Sequence, residues 1–364
     1  MRPRVRAAVL LASALAIFLA TVPGSTGTAP AKESWRFAVS GDSRNCGDVV
    51  MPGIAAAVLK DGPAFYWHLG DFRKIYDFDE DLMHDPEHRS RPVTIIEYEE
   101  AAWPDFLKNQ IAPFGELPVF LSIGNHETIS PKTRDAYLAQ FADWLEAPGL
   151  RAQRLADKPD DHLLRTYYHW VERGIDFISL DNASDDQFDD TQVAWVEAVL
   201  ARDRADPSIH AIVVGMHKAL PDSISADHSM NESATGTESG RRVYRDLLRA
   251  QNEAHKHVYV LASHSHFYME GIFQTEFWKN HGGVLPGWIV GTAGAVRYPR
   301  PPDSAKAKTV ETDVYGYLLG TAQPDGQIEF QFRWLNENEV PASVAQRYTP
   351  EFVHWCFAAN SNTH

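Results

Sequence analysis

Five short apolar runs in this chain end alike, and that repetition constrains the fold more than any other feature of the sequence. The clearest is Val119-Phe120-Leu121-Ser122-Ile123, which stops at Gly124 and hands over to Asn125-His126-Glu127. A run of β-formers this short reads as a strand buried on both faces of a sheet. Glycine at its end lets the backbone turn without a Cβ penalty. Four other strand-like runs finish at Gly41-Asp42, Gly70-Asp71, Gly215-Met216-His217 and Ser263-His264-Ser265-His266. In open α/β sheets the carboxyl ends of strands are where ligands bind. Taken singly, each ending is an ordinary polar turn. The ordered series is what points to a site.

The segments between these endings alternate in type. Residues 35–40 read as a first strand, 49–60 as a helix with Val50, Ile54 and Val58 at helical spacing, and 64–69 as a second strand. The insertion 72–92, rich in Asp, Glu and His, reads as a solvated acidic loop. Helix 95–111 leads to the strand at Val119, and helix 133–146 follows it. Residues 166–171 and 175–180 flank Glu172-Arg173-Gly174 as a hairpin. Helix 189–204, with its acids early and arginines late, suits the helix dipole. Strand 211–214, a loop over 221–240, helix 241–255 and strand 257–262 come next. Strands at 288–290, 315–320 and 327–333 close the pattern, the last two joined by Pro324-Asp325-Gly326. Together these segments predict a layered α/β domain with two sheets packed face to face.

The N-terminus is a separate matter. Arg2, Arg4 and Arg6 precede an apolar run over 7–22, and Ala29-Pro30-Ala31 follows small residues and prolines. This is the layout of a secretory signal peptide. The run falls short of the roughly 18–20 apolar residues of a membrane span, so stable membrane insertion is not expected. Residues 1–31 are therefore read as a leader and 32–364 as one domain, with a motif core over 37–270 and C-terminal strands over 286–335. The mature chain is expected in the periplasm or outside the cell. The full sequence has a formal net charge of −15, and the leader carries three arginines and no acid, so the mature chain is more negative still. So negative a chain disfavours a nucleic acid duplex or an anionic lipid surface. A phosphate ligand would need local positive charge from metals or a few arginines. Cys46 and Cys356 are the only cysteines. Export permits a disulfide between them, and two free thiols fit the sequence as well. Nothing in the sequence fixes the oligomeric state.

Collected from the strand ends, Asp42, Asp71, Asn125, His217, His264 and His266 offer carboxylates, an amide oxygen and imidazoles. That mixture suits Zn, Mn or Fe better than Ca, which prefers all-oxygen cages. His264 and His266 alternate with serines and would point the same way from an extended strand. A pair of such metals, bridged by one carboxylate, clamps a phosphoryl group and lowers the pKa of bound water from about 16 to about 7.

In their order and spacing these motifs resemble those of the calcineurin-like metallophosphoesterases, which include the purple acid phosphatases. The resemblance runs over residues 37–270. It implies a four-layer αββα sandwich of two mixed β-sheets and a centre of two divalent or mixed-valence transition-metal ions. Position by position, it implies that Asp71 bridges the metals, that Asn125, His217 and His264 complete one, and that Asp42 and His266 hold the other. His126 would stand beside the phosphate, stabilising the transition state or protonating the leaving group.

The chain also departs from the family pattern. Most members carry a ligating histidine two residues after the first aspartate; here that residue is Arg44, which cannot ligate because it does not deprotonate. The tyrosine that purple acid phosphatases place three residues after the bridging aspartate is Lys74 here, with Tyr76 nearby. The first metal site could be completed by water or Tyr76, or be empty. Arg44 could instead grip a substrate phosphate bidentately, and Arg73 is a second candidate of that kind. The expected activity is hydrolysis of small phosphate mono- or diesters by in-line attack of metal-activated hydroxide. The alternative is a catalytically silent envelope protein with one metal or none that binds a ligand or partner.

Overall fold

Hydrophobic alternation sorts the strands into two sheets. In chain order the strands are β1 (Trp35–Ser40), β2 (Tyr66–His68), β3 (Val119–Leu121), β4 (Tyr168–Glu172), β5 (Ile175–Ser179) and β6 (Ala211–Gly215). They continue as β7 (His257–Ala262), β8 (Tyr268–Glu270), β9 (Gly287–Val290), β10 (Thr309–Glu311), β11 (Gly316–Ala322) and β12 (Ile328–Trp334). Along β1, Phe37 and Val39 face one core and Ala38 another, the two-residue period of a pleated strand. On β6 and β7, Val213 and Leu261 join the core of Phe37 and Val39, while Ile212, Val214, Val258 and Val260 enter a third. These positions come from a computed structural model that describes residues 33–183 and 187–361; the expected leader lies outside them.

The first sheet has the order β12-β11-β1-β2-β3, with β1, β2 and β3 parallel and β11 and β12 antiparallel. The second runs β10-β8-β9-β7-β6-β5-β4, with β5, β6, β7 and β9 parallel. Between the sheets lies an aromatic layer. Phe37 meets Phe177 edge to face at 5.0 Å and Trp67 meets Trp170 at 5.1 Å, an arrangement that ring quadrupoles favour. Helices cover both outer faces: Gly47–Asp61 and Ile95–Phe106 on the first sheet, Asp190–Ala205 and Ala234–Asn252 on the second. This is the αββα sandwich with two mixed sheets.

Several readings need correction. β3 is the edge strand of its sheet, and Val119 and Phe120 are only half-buried, because β2 alone pairs with it. The insertion 72–92 is not a solvated loop. It folds into short helices, Glu80–His84 and Pro86–Arg89, and buries Asp79, Asp81 and Asp85. The helix placed at 241–255 begins earlier, at Ala234, capped by the Ser233 hydroxyl, which accepts from Gly236 N at 2.9 Å. Helices Ala342–Tyr348 and Pro350–Ala358 follow the last strand. The second of them carries Cys356, which is disulfide-bonded to Cys46. Among the described residues no helix is long and apolar enough to cross a membrane.

Candidate metal centre

The carboxyl ends of the parallel strands meet at one seam. Asp42, Asp71 and Asn125 follow β1, β2 and β3, so the first sheet supplies oxygens. His217, His264 and His266 follow β6 and β7, so the second supplies nitrogens. Asp42, Asp71 and His264 have φ of 61°, 61° and 64°. This left-handed backbone costs energy and concentrates at functional sites. Gly70, at φ 95°, lies so close to Gly124 that any Cβ would collide with its backbone. The β2 and β3 loops therefore touch directly.

Glu127 locks those two loops together. Its buried carboxylate accepts from Asp71 N and Gly124 N, both at 2.8 Å, and from Phe72 N at 2.9 Å. Burial and the neighbouring Asp71 push Glu127 up to about 7, against the three N–H groups that favour its ionised form. In the sequence Glu127 is marked only as an acid directly after Asn125-His126. Glu127→Gln would turn an NH₂ toward backbone donors. It is expected to cost about 1–3 kcal/mol, seen as a lower denaturation midpoint together with weaker metal retention.

At the heart of the site, His217 donates Nδ1–H to Leu69 O at 3.0 Å, which turns Nε2 inward. That Nε2 lies 2.9 Å from Asn125 Oδ1, 3.1 Å from His264 Nδ1 and 3.2 Å from Asp71 Oδ1. Four donor atoms thus crowd one point. Burial would hold the His217 imidazole down, but Asp71 pushes it up to about 9. Burial, with His217 alongside, holds His264 well below its ordinary value. Asp71, despite its burial, is held well below the usual carboxylate range by His126 and His217. The cluster demands a positive charge, which a proton on His217 or a metal in its place would satisfy. Asp42 Oδ1 and Asp71 Oδ2, buried without a hydrogen-bond partner, face the other half of the centre, toward His266 and Arg44. Asp71, Asn125, His217 and His264 therefore fit a transition metal.

The other half differs. His266 lies 3.3 Å from Asp42 through Nε2, and the same nitrogen is 3.0 Å from Arg44 Nη2. Arg44 Nε is 3.8 Å from Asp71 Oδ2. Asp42 also accepts from Ser263 Oγ and, at 2.8 Å, from His264 N. His126 approaches the same Asp71 oxygen that Arg44 faces. Its Nδ1–H donates to Lys74 O at 2.7 Å, leaving Nε2 at 3.5 Å from Asp71 Oδ2. Tyr76 is 56% exposed and lies beside the His126 ring. Arg73, the second candidate for a phosphate contact, is buried instead among Asp48, Asp79, Asp81 and Asp105. The rim carries no motif in the sequence, its residues lying in separate loops. His228 and Glu232 come near His264, Tyr298 packs on His266 at 4.0 Å, and His228 and Tyr298 border a cavity of about 560 Å³ with Phe267 and Arg300.

No family model and no curated protein matches the chain. Solved structures do. The purple acid phosphatase PPD1 from yellow lupin (Lupinus luteus) seeds superposes with a TM-score of 0.55 at 16% identity, covering 85% of this chain and 53% of that one. PhoD gives 0.51 at 14% identity, covering 82% of this chain and 68% of that one. The chain thus spans about half the length of the lupin enzyme, and at these identities the likeness is one of fold. The chain shares the fold of these two structures.

Proposed function

We propose that this chain is an exported, metal-dependent hydrolase of small phosphate mono- or diesters. The observation that carries the reading is the convergence of Asp71, Asn125, His217 and His264 on one point, with His126 beside it. A transition metal held there would supply activated water and neutralise phosphate charge. His126 is turned by Lys74 O so that Nε2 faces the centre. With Nδ1–H held by Lys74 O, Nε2 is the atom that takes a proton from water, and because burial lowers the pKa it hands that proton readily to the leaving oxygen. Arg44 contributes positive charge that does not titrate. The cavity bordered by His228 and Tyr298 receives the alcohol portion of the ester. Export is supported by the leader-like N-terminus and by the Cys46–Cys356 disulfide, which suits an oxidising compartment.

The test is hydrolysis of an aryl phosphate beside its bis-aryl diester, by chain purified without chelator and supplied with Zn, Mn or Fe. Turnover of one or both is expected, abolished by chelator and restored by metal. Metal-loaded chain that turns over neither would overturn the reading and leave the silent ligand-binding protein in its place.

A further inference from the structure

We infer that the guanidinium of Arg44 takes the place of one metal ion, making this a one-metal centre with a built-in organic cation. The inference rests on the reading of Asp71, Asn125, His217 and His264 as a metal site. It concerns the other half, where the residues present do not fit a metal.

His266 decides the matter. Its Nδ1 lies 2.6 Å from Val296 O, which can only accept, so Nδ1 carries the proton. Nε2 is then its one coordinating lone pair. That lone pair already accepts from Arg44 Nη2 at 3.0 Å. A metal would need to approach Nε2 to about 2.0–2.1 Å, and one lone pair cannot serve both. Arg44 is held in place rather than swung in from solvent: it is 8% exposed, with Nε toward Asp71 Oδ2 at 3.8 Å. The flanking backbone is fixed too, since Cys46 N donates to Arg44 O at 3.0 Å and Cys46 is tied through its disulfide to the last long helix. The guanidinium thus sits among Asp71, Asp42 and His266, where its charge answers two buried carboxylates. Unlike a bound ion, it cannot dissociate and cannot lend a proton.

The test is the metal content of the full mature chain after loading with excess Mn(II) and desalting, by elemental mass spectrometry, with electron paramagnetic resonance of the same samples. The wild type is expected to hold about one Mn(II) per chain with an uncoupled spectrum. Arg44→His, which removes the guanidinium and restores a ligating imidazole, is expected to hold about two, with exchange coupling between them. About two coupled ions in the wild type would overturn the inference and leave the proposed function standing. No retained metal would overturn both. Should Arg44→His fail to fold, as judged by circular dichroism, the wild-type stoichiometry and spectrum decide alone.

Discussion

Asp71→Asn is expected to remove both metal and hydrolysis while leaving the fold in place. Asparagine keeps the shape and an oxygen to accept from His126 N, now 3.0 Å from Asp71 Oδ1. What disappears is the negative charge, buried at 0% exposure, that meets His217, His126 and Arg44 at once. Losing a charged ligand should exceed the roughly 10–100-fold cost of losing an outer-shell partner. We therefore expect metal affinity to fall by more than about 100-fold and turnover to drop to background. Elemental mass spectrometry and an aryl phosphate assay give the two readouts, and circular dichroism confirms the fold. Retained metal with retained activity would refute the assignment of Asp71 as a ligand.

Arg73→Met is expected to be the most destabilising single change, although it lies outside the centre. Nη2 of Arg73 reaches Asp48 at 2.6 Å and Asp105 at 2.7 Å, and Nη1 reaches Asp81 at 3.1 Å. Burial raises Asp81 and Asp105, with Asp48 adding to it, so the cluster already resists ionisation with the arginine present. Removing one partner of a buried ion network costs about 3–5 kcal/mol, and urea denaturation should show a loss of that order. Arg73→Lys should fall between, because a single ammonium cannot span the three carboxylates as a planar fork does. A substrate contact would instead raise KM in Arg73→Lys at unchanged stability, and that pattern would contradict the placement described here.

The motif residues were legible because each rests on a local rule. A strand ends, a glycine permits the turn, and a polar side chain projects from the end. His264 and His266 come from the one end with serine, Ser263, where the others have glycine, and there His264 itself takes the left-handed turn at φ 64°. What escaped was set by partners far along the chain. The edge position of β3 depends on strand order, which no run of nine residues carries. The burial of Asp79 and Asp81 depends on Arg73 and on Tyr98, whose hydroxyl donates to Asp79 at 2.6 Å. Cys46 and Cys356 lie 310 residues apart, and only the fold brings them together. The start of the Ala234 helix was hidden by Thr235, Gly236 and Thr237, poor helix formers that tertiary packing overrides. Arg44 was visible as an exception to a pattern, but its seat against His266 was not.

The division of donors between the sheets has a mechanical consequence. Oxygens ride on one sheet and imidazoles on the other, so the centre works as a caliper across the aromatic layer that separates them. That spacing is set nearby, where a Cβ on Gly215 would run into the Trp67 ring. Any change that thickens the layer parts the donors while every strand keeps its hydrogen-bonded neighbours. An ion held there would rivet the two plates at working distance, and its retention would report interlayer packing that the strand ladders do not.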